Sequence, residues 1–325
     1  MNRHVPVLLR ETVEALNLKP DTTVVDGTLG DAGHAEEILK YIMPKGVLIG
    51  IDVDAESILR AKKFLYDFGD KVIFERDNFK NIKTVLKKNN REQVSAILLD
   101  LGWSMPQFQE RGRGFSFLNR DEPLDMRFDT YLKCEHMTDE PPQSFDGKPL
   151  YGPCTAAELV NNMSKTALTT IFKNYGEEKL SKEIAEAIIE KRKDFALESV
   201  GDMVNIVLDI YRKKLKTEKE IPWIGGLHPA TKIFQALRIA VNMELDVLKY
   251  VIPDAIEMLA SGGRLVIISF HSLEDRIVKH AFKDAVAKGL GIVINKKPIT
   301  CSQEEYDKNP PSRSAKLRIF ERSVK

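Results

Sequence analysis

Between residues 22 and 100 the chain alternates short β-rich runs with helical patterns, and no other feature restricts its folding options as much. The runs are TTVVD at 22–26, VLIGID at 47–52, KVIFE at 71–75 and VSAILLD at 94–100. Each is β-branched or aromatic, and short enough to be a strand. Amphipathic patterns at 33–42, 54–68 and 79–90 separate them. A crossover of that length brings the next strand in parallel to the last, since an antiparallel return needs only a hairpin. The expected result is a doubly wound parallel α/β sheet with helices on both faces.

The rhythm stops near residue 109 and resumes after 228. The intervening stretch opens with the arginine- and glycine-rich ERGRGFSFLNRDEPLDMRFD and continues through a polar segment at 131–153. Three helical patterns follow: TAAELVNNMSKTALTTIF, EEKLSKEIAEAIIEKRKDF and SVGDMVNIVLDIYRKKLK. Thr155 and Glu158 form a capping box for the first. Beyond 228 comes a long pattern at 230–260, with Pro253 expected to divide it into two helices. The strand GRLVIISF is next, then a helix opening at Ser272 with Ser272 and Asp275 expected at its cap, then the strands GIVINKK and AKLRIFER. Those last strands are needed to complete the first sheet. We therefore expect 1–108 with 229–325 as one α/β domain, and 109–228 as a helical domain inserted into it rather than placed in series.

Totals exclude several classes. No apolar tract in the 325 residues is long enough to span a bilayer, and the N-terminal MNRHVPVLLRE lacks a signal core. Three cysteines, at 134, 154 and 301 and without a CxxC, argue for a reducing, cytoplasmic setting and against a structural zinc site. The net charge of +1 means that any nucleic-acid contact must come from local patches.

VVDGTLGDAGHA at 24–35 places an acid, Asp26, at a strand end and follows it with glycines at 27, 30 and 33. The dinucleotide pattern GxGxxG is absent, and no lysine follows as a P-loop requires. A second acid, Asp52, ends the next strand, where a carboxylate accepts hydrogen bonds from both hydroxyls of a ribose. The loop therefore suits a nucleoside with little phosphate, and S-adenosylmethionine fits better than NAD or ATP. Against this stands a plainer reading, in which the glycines permit a sharp turn and Asp52 caps the next helix. Phe79 and Asp100 extend the series along the strand ends, although a lone phenylalanine there also suits a core.

The residues then match a known pattern. HVPVLLRE, DGTLGDAGH, DLGWSMPQ, RGFSF, PLDMRFD, YGEE, HPATKIFQALRIAVN, ISFHSLEDRIVK and NPPSRSAKLRIFER, in this order across nearly the whole chain, resemble the RsmH (MraW) family. The resemblance implies a class I methyltransferase sheet interrupted by a helical domain. It also implies methyl transfer from S-adenosylmethionine to the exocyclic N4 amine of a cytidine in the decoding region of 16S rRNA, with no metal. Its donor contacts carry over to Ala32, Gly33, His34, Asp52, Phe79, Asp100 and Gln107. The likeness is compatible with a homodimer. Three departures stand out: Ala32 where the family usually has glycine, Trp103 and Met105 where it has smaller residues, and a longer 131–153 stretch. If Ala32 needs a positive φ, its methyl costs about 1–2 kcal/mol.

The implied reaction needs alignment more than activation. A cytosine amine is a weak nucleophile, so an acceptor must hold one of its N–H bonds. Asp100 and the DLGWS carbonyls stand where that acceptor belongs, but the resemblance assigns Asp100 to the donor, and the catalytic acceptor stays open. Trp103 is placed to stack on an unstacked base or to fill a domain junction. His271 is placed to line the cleft. Phe115 and Phe117 divide between base and core, and His228 reads as structural. Arg111, Arg113, Arg120 and Arg127 alternate with acids, and half or more of them suit ties between the insert and the sheet domain. Lys213, Lys214, Lys216, Arg313, Lys316, Arg318 and Arg322 are the candidates for RNA phosphates.

Overall fold

Each β-rich run becomes a strand in the computed structural model of the chain, which describes residues 5–101, 112–129, 154–217 and 227–324. They are β1 (Thr23–Asp26), β2 (Val47–Asp52), β3 (Val72–Arg76) and β4 (Val94–Asp100). Helices α2 (Gly33–Ile42), α3 (Ala55–Phe64) and α4 (Ile82–Lys88) are the crossovers, and α1 (Leu9–Leu16) precedes the first strand. The C-terminal part adds α10 (Glu244–Met258), β5 (Leu259–Ser269), α11 (Ser272–Ala287), β6 (Gly291–Val293), α12 (Gln303–Lys308) and β7 (Lys316–Arg322). All seven strands form one sheet in the order β3-β2-β1-β4-β5-β7-β6. The first five are parallel, and β7 runs antiparallel between β5 and β6. This is the class I methyltransferase sheet that the resemblance implies.

Strand periodicity explains the three layers. Val24, Leu48, Ala96, Leu98, Val266 and Ile268 face one way, into a core with Leu16 of α1, Ile38 and Leu39 of α2 and Ala61 of α3. Val25, Ile49, Ile97, Leu99, Leu265 and Ile267 face the other, against Val85 of α4, Ile252 of α10 and Phe282 of α11. Strands buried on both faces must be apolar at nearly every position, which is why the four runs stand out in the sequence.

The chain divides into two compact units, Met1–Ser104 with Leu245–Lys325, and Met105–Glu244. The second unit contains α5 (Ala156–Asn162), α6 (Lys165–Asn174), α7 (Ser181–Lys191), α8 (Val200–Leu215) and α9 (Thr231–Asn242). It extends past residue 228 because α9 packs on α5 and α6. The first helical pattern proves to be two helices: Met163 is extended at φ −72°, ψ 152°, and Ser164 caps α6 by accepting from the Ala167 N–H. Thr155 and Glu158 do form the box on α5. The 230–260 pattern breaks at Met243 (φ 50°), not at Pro253, which sits inside α10. The side chain of Asn242 accepts from the Phe128 N–H at 2.8 Å and donates to the Met126 carbonyl at 2.8 Å, so the helix end is committed to holding the 112–129 loop. No helix among the described residues is long and apolar enough to cross a membrane.

Candidate functional site

The carboxyl ends of β1 and β4 lie side by side where the strand order reverses, the place at which open α/β sheets receive ligands. Asp26 ends β1, Asp52 ends β2 and Asp100 ends β4. The loop between β1 and α2 threads among them. One oxygen of Asp52 accepts from the Gly30 N–H at 2.8 Å, and the other from the Asp54 N–H at 2.8 Å. A carboxylate oxygen accepts more than one hydrogen bond, so these contacts aim Asp52 at the loop without exhausting it. Asp52 is therefore not the cap of α3; Asp54 is, accepting from the N–H groups of Glu56 and Ser57.

The glycines have separate causes. A Cβ on Gly27 would meet the Leu99 side chain at 2.5 Å, and one on Gly33 would meet Pro6 at 2.3 Å. Both are glycine because neighbouring parts of the protein occupy the space. Gly30 has φ +51°, and an added Cβ would meet only the Thr28 carbonyl at an ordinary 3.9 Å, so it answers to backbone conformation. Ala32, fully buried, has φ 61°, ψ 29° and sits at the N-cap of α2. The left-handed conformation that penalises its methyl is thus real.

Burial pushes the Asp26 carboxyl up to about 7; hydrogen bonds from Thr28 oppose the shift, and the Asp52 charge adds to it. Asp26 is 1% exposed and accepts from the Thr28 N–H at 3.1 Å. The Thr28 hydroxyl oxygen accepts from the Asp100 N–H at 2.7 Å. His34, 6% exposed, donates through Nε2 to the Val7 carbonyl at 3.0 Å and turns Nδ1 to Asp100 Oδ2 at 3.6 Å. Its ring is enclosed by the protein, so what it can offer a ligand is its N–H in the first turn of α2. Phe79 opens the turn after β3, half-buried, with its Cβ beside Gly27. The sequence-expected Ala32, Gly33, His34, Asp52, Phe79 and Asp100 thus gather at one end of the sheet. Trp103, Met105, Gln107 and Arg111 lie outside the described residues.

His271 is the N-cap of α11, a role expected of Ser272 and Asp275. Its Nδ1 accepts from the Glu274 N–H at 3.4 Å, while the Glu274 carboxylate takes the Phe270 N–H at 2.8 Å and the His271 N–H at 3.3 Å. Asp275 is needed elsewhere: Arg318 donates to it at 2.6 Å from a position 5% exposed. That corrects the RNA expectation for Arg318, and Lys316 lies 3.7 Å from the same carboxylate. Arg322 donates to the carbonyls of Ile256, Glu257 and Leu259, closing the end of α10. Arg313, Lys213, Lys214 and Lys216 are exposed.

Within the second unit, Arg113 donates to the carbonyls of Arg127 and Phe128, and Arg127 pairs with Asp125 at 2.8 Å. Arg120 donates to Asn205. Arg113, Arg120 and Arg127 thus have these partners inside the insert, where ties to the sheet domain were expected. Phe115 is core, stacked on Phe128 at 5.7 Å, whereas Phe117 lies parallel to His228 at 4.5 Å. Burial and the nearby Arg120 lower the pKa of His228.

Sequence reasoning quoted Thr28 and the segment Val5–Leu8 within longer motifs but gave neither a role. Thr28 carried a signal, a hydroxyl two residues after a strand-end acid inside a glycine loop. The segment's role depends on partners about 300 residues away: Asn309 donates to the Val5 carbonyl at 3.1 Å, and the Leu8 N–H donates to Glu305 at 2.6 Å.

Chemically, three carboxylates on neighbouring strands suit a ligand with cationic and hydroxyl groups and repel phosphate. Comparison with known proteins agrees. Residues 1–137 and 151–323 match the MraW methylase family. The chain is 41% identical over 334 residues to the "Ribosomal RNA small subunit methyltransferase H" of Clostridioides difficile, covering 98% of each. The proteins of the same name from Acetivibrio thermocellus and Dictyoglomus thermophilum are 42% and 40% identical, with 98% of this chain and 99% and 96% of theirs covered.

Proposed function

The chain belongs to the MraW methylase family, and from that premise we propose that it methylates the N4 amine of one cytidine in the decoding region of 16S rRNA. It is an S-adenosylmethionine-dependent methyltransferase, and its relatives carry the name of small-subunit rRNA enzymes. The observation that carries the donor site is the gathering of Asp26, Asp52 and Asp100 around the Gly27–Gly33 loop. The carboxylates of Asp52 and Asp100 fit a nucleoside sulfonium, which brings ribose hydroxyls, an ammonium group and a positive sulfur, and the buried Asp26 backs them.

Bound S-adenosylmethionine supplies a methyl group already activated as a sulfonium. Asp52 holds the ribose hydroxyls, Phe79 covers the adenine, and Asp100 accepts from the donor's ammonium group. Ala32, Gly33 and His34 lend the backbone of the loop and the first turn of α2, and Gln107 completes the set. Trp103 stacks on the target cytosine. The protein's contribution is to align the amine lone pair with the methyl carbon and to keep water out. As the new N–C bond forms the S–C bond breaks, and the amine then gives up one proton. His271 is a poor acceptor for it, because a ring that caps α11 with Nδ1 carries its hydrogen on Nε2. Asp100 and the carbonyls that follow it can hold an amine N–H by hydrogen bonding, and the released proton passes to water when the product leaves. The inserted helical domain, 109–228, presents the RNA, and the protein acts in the cytoplasm.

Incubation with labelled donor and small subunits lacking the modification should label one cytidine amine. Label on a ring carbon or a ribose oxygen would refute this chemistry.

A further inference from the structure

At the reversal point of the sheet, the ends of β1 and β4 are joined by a side chain as well as by the ladder. Asp26 takes the Thr28 N–H at 3.1 Å and so holds the turn that carries the threonine. From that turn the Thr28 hydroxyl oxygen presents a lone pair to the Asp100 N–H, 2.7 Å away and 72 residues on in the chain. Asp100 leaves β4 at this point, and its carboxylate faces His34 Nδ1 at 3.6 Å.

We propose that Thr28, oriented by Asp26, is a positioning residue that fixes where β4 ends and so aims the Asp100 carboxylate at the methyl donor. The inference rests on the donor site proposed above and adds Thr28 to it, with Asp26 as the residue that holds the threonine. Neither Asp26 nor Thr28 needs to touch the ligand.

The arrangement is sensitive to the state of Asp26. As an anion, the carboxyl accepts strongly from the Thr28 N–H and fixes the turn that presents the hydroxyl to Asp100. Once protonated it accepts more weakly, and the tie to β4 loosens. Burial holds this carboxyl near neutrality. The other titratable groups facing the cluster are Asp52 from β2, Asp100 from β4 and His34 from α2. Donor affinity should therefore rise with pH through about 7, and the variant Asp26→Asn isolates the residue responsible.

The test is donor binding by calorimetry on the full chain, beside steady-state kinetics. Thr28→Val, which keeps the shape and removes the hydroxyl, should weaken S-adenosylmethionine binding and raise its KM about tenfold, the loss of one hydrogen bond. At saturating donor, kcat should fall less than threefold. Thr28→Ser should return both constants to within threefold of the unaltered protein. In Asp26→Asn the affinity inflection near pH 7 should vanish. Equal donor affinity in Thr28→Val and the unaltered protein, a failed serine rescue, or an inflection that survives Asp26→Asn would each overturn the proposal. Should the valine variant not fold, hydrogen exchange at the Asp100 amide of the unaltered protein decides: protection supports the tie and free exchange refutes it. If the unaltered protein binds no donor, the donor site itself is wrong, a result distinct from all of these.

Discussion

Ala32 and Gly33 are adjacent, yet opposite forces act on them. Replacing Ala32 with glycine relieves about 1–2 kcal/mol of left-handed strain. It also loosens the unfolded chain by about 0.4–1 kcal/mol and deletes a buried methyl that contributes about 0.8 kcal/mol. The terms nearly cancel, so Ala32→Gly should leave stability within about 1 kcal/mol in a denaturant titration. Gly33→Ala faces a Pro6 carbon 2.3 Å from its new Cβ and has no offsetting gain. It should destabilise by about 1–3 kcal/mol, the usual penalty of overpacking. Asp52→Ala should cut donor affinity about 10- to 100-fold with an unchanged circular dichroism spectrum, since hydrogen bonds to a charged group contribute about 1.5–3 kcal/mol. The acids, Phe79 and the glycine loop were legible in the sequence because strand ends are marked by their apolar runs. Which packing neighbour required each glycine was not, since Leu99 and Pro6 come from other parts of the chain.

Among the elements, β1–β4 were read almost to the residue, because burial on both faces leaves β1, β2 and β4 continuous apolar runs bounded by polar turns. By contrast, β5 begins four residues before GRLVIISF, at Leu259, and β6 covers only the first three residues of GIVINKK. Helix ends were read less well. Met243 ends α9 in a left-handed turn that no glycine announces, and Pro253 proved compatible with helix. The cap of α11 escaped because histidine is an unusual capping residue; its Nδ1 stands in for a hydroxyl. Loss of a cap typically destabilises by about 1 kcal/mol. His271→Ala should therefore lower stability by about that amount, and His271→Ser should recover most of it. If the serine variant also keeps kcat in the methylation assay, His271 is structural. On α8, Lys213, Lys214 and Lys216 are exposed at the C-terminal end. Reversing all three to glutamate should weaken rRNA binding and flatten its salt dependence, while donor affinity holds.

For the whole molecule, the raised pKa of Asp26 sets a slope of stability against pH. A carboxyl held at about 7 when folded, against its ordinary 3.8, contributes most below about pH 4 and loses that contribution as pH climbs to 7. The loss is about 4 kcal/mol. Glu75 has the opposite sign: burial alone would raise it, but Lys88 and Asn89 hold it below its usual value, so its contribution fades in acid. Unfolding titrations of Asp26→Asn against the unaltered protein between pH 5 and 8 should show the slope disappear. Because a cationic ligand favours the ionised carboxyl, added donor should stabilise the protein more at pH 8 than at pH 6. The opening residues carry a last consequence. Val5–Leu8 lie against the donor loop through Pro6 and Val7, and are themselves fastened by Glu305 and Asn309. Glu305 and Asn309 thus act on that loop from about 300 residues away without belonging to it, and a change at either one reaches the glycine turn through Pro6 and Val7.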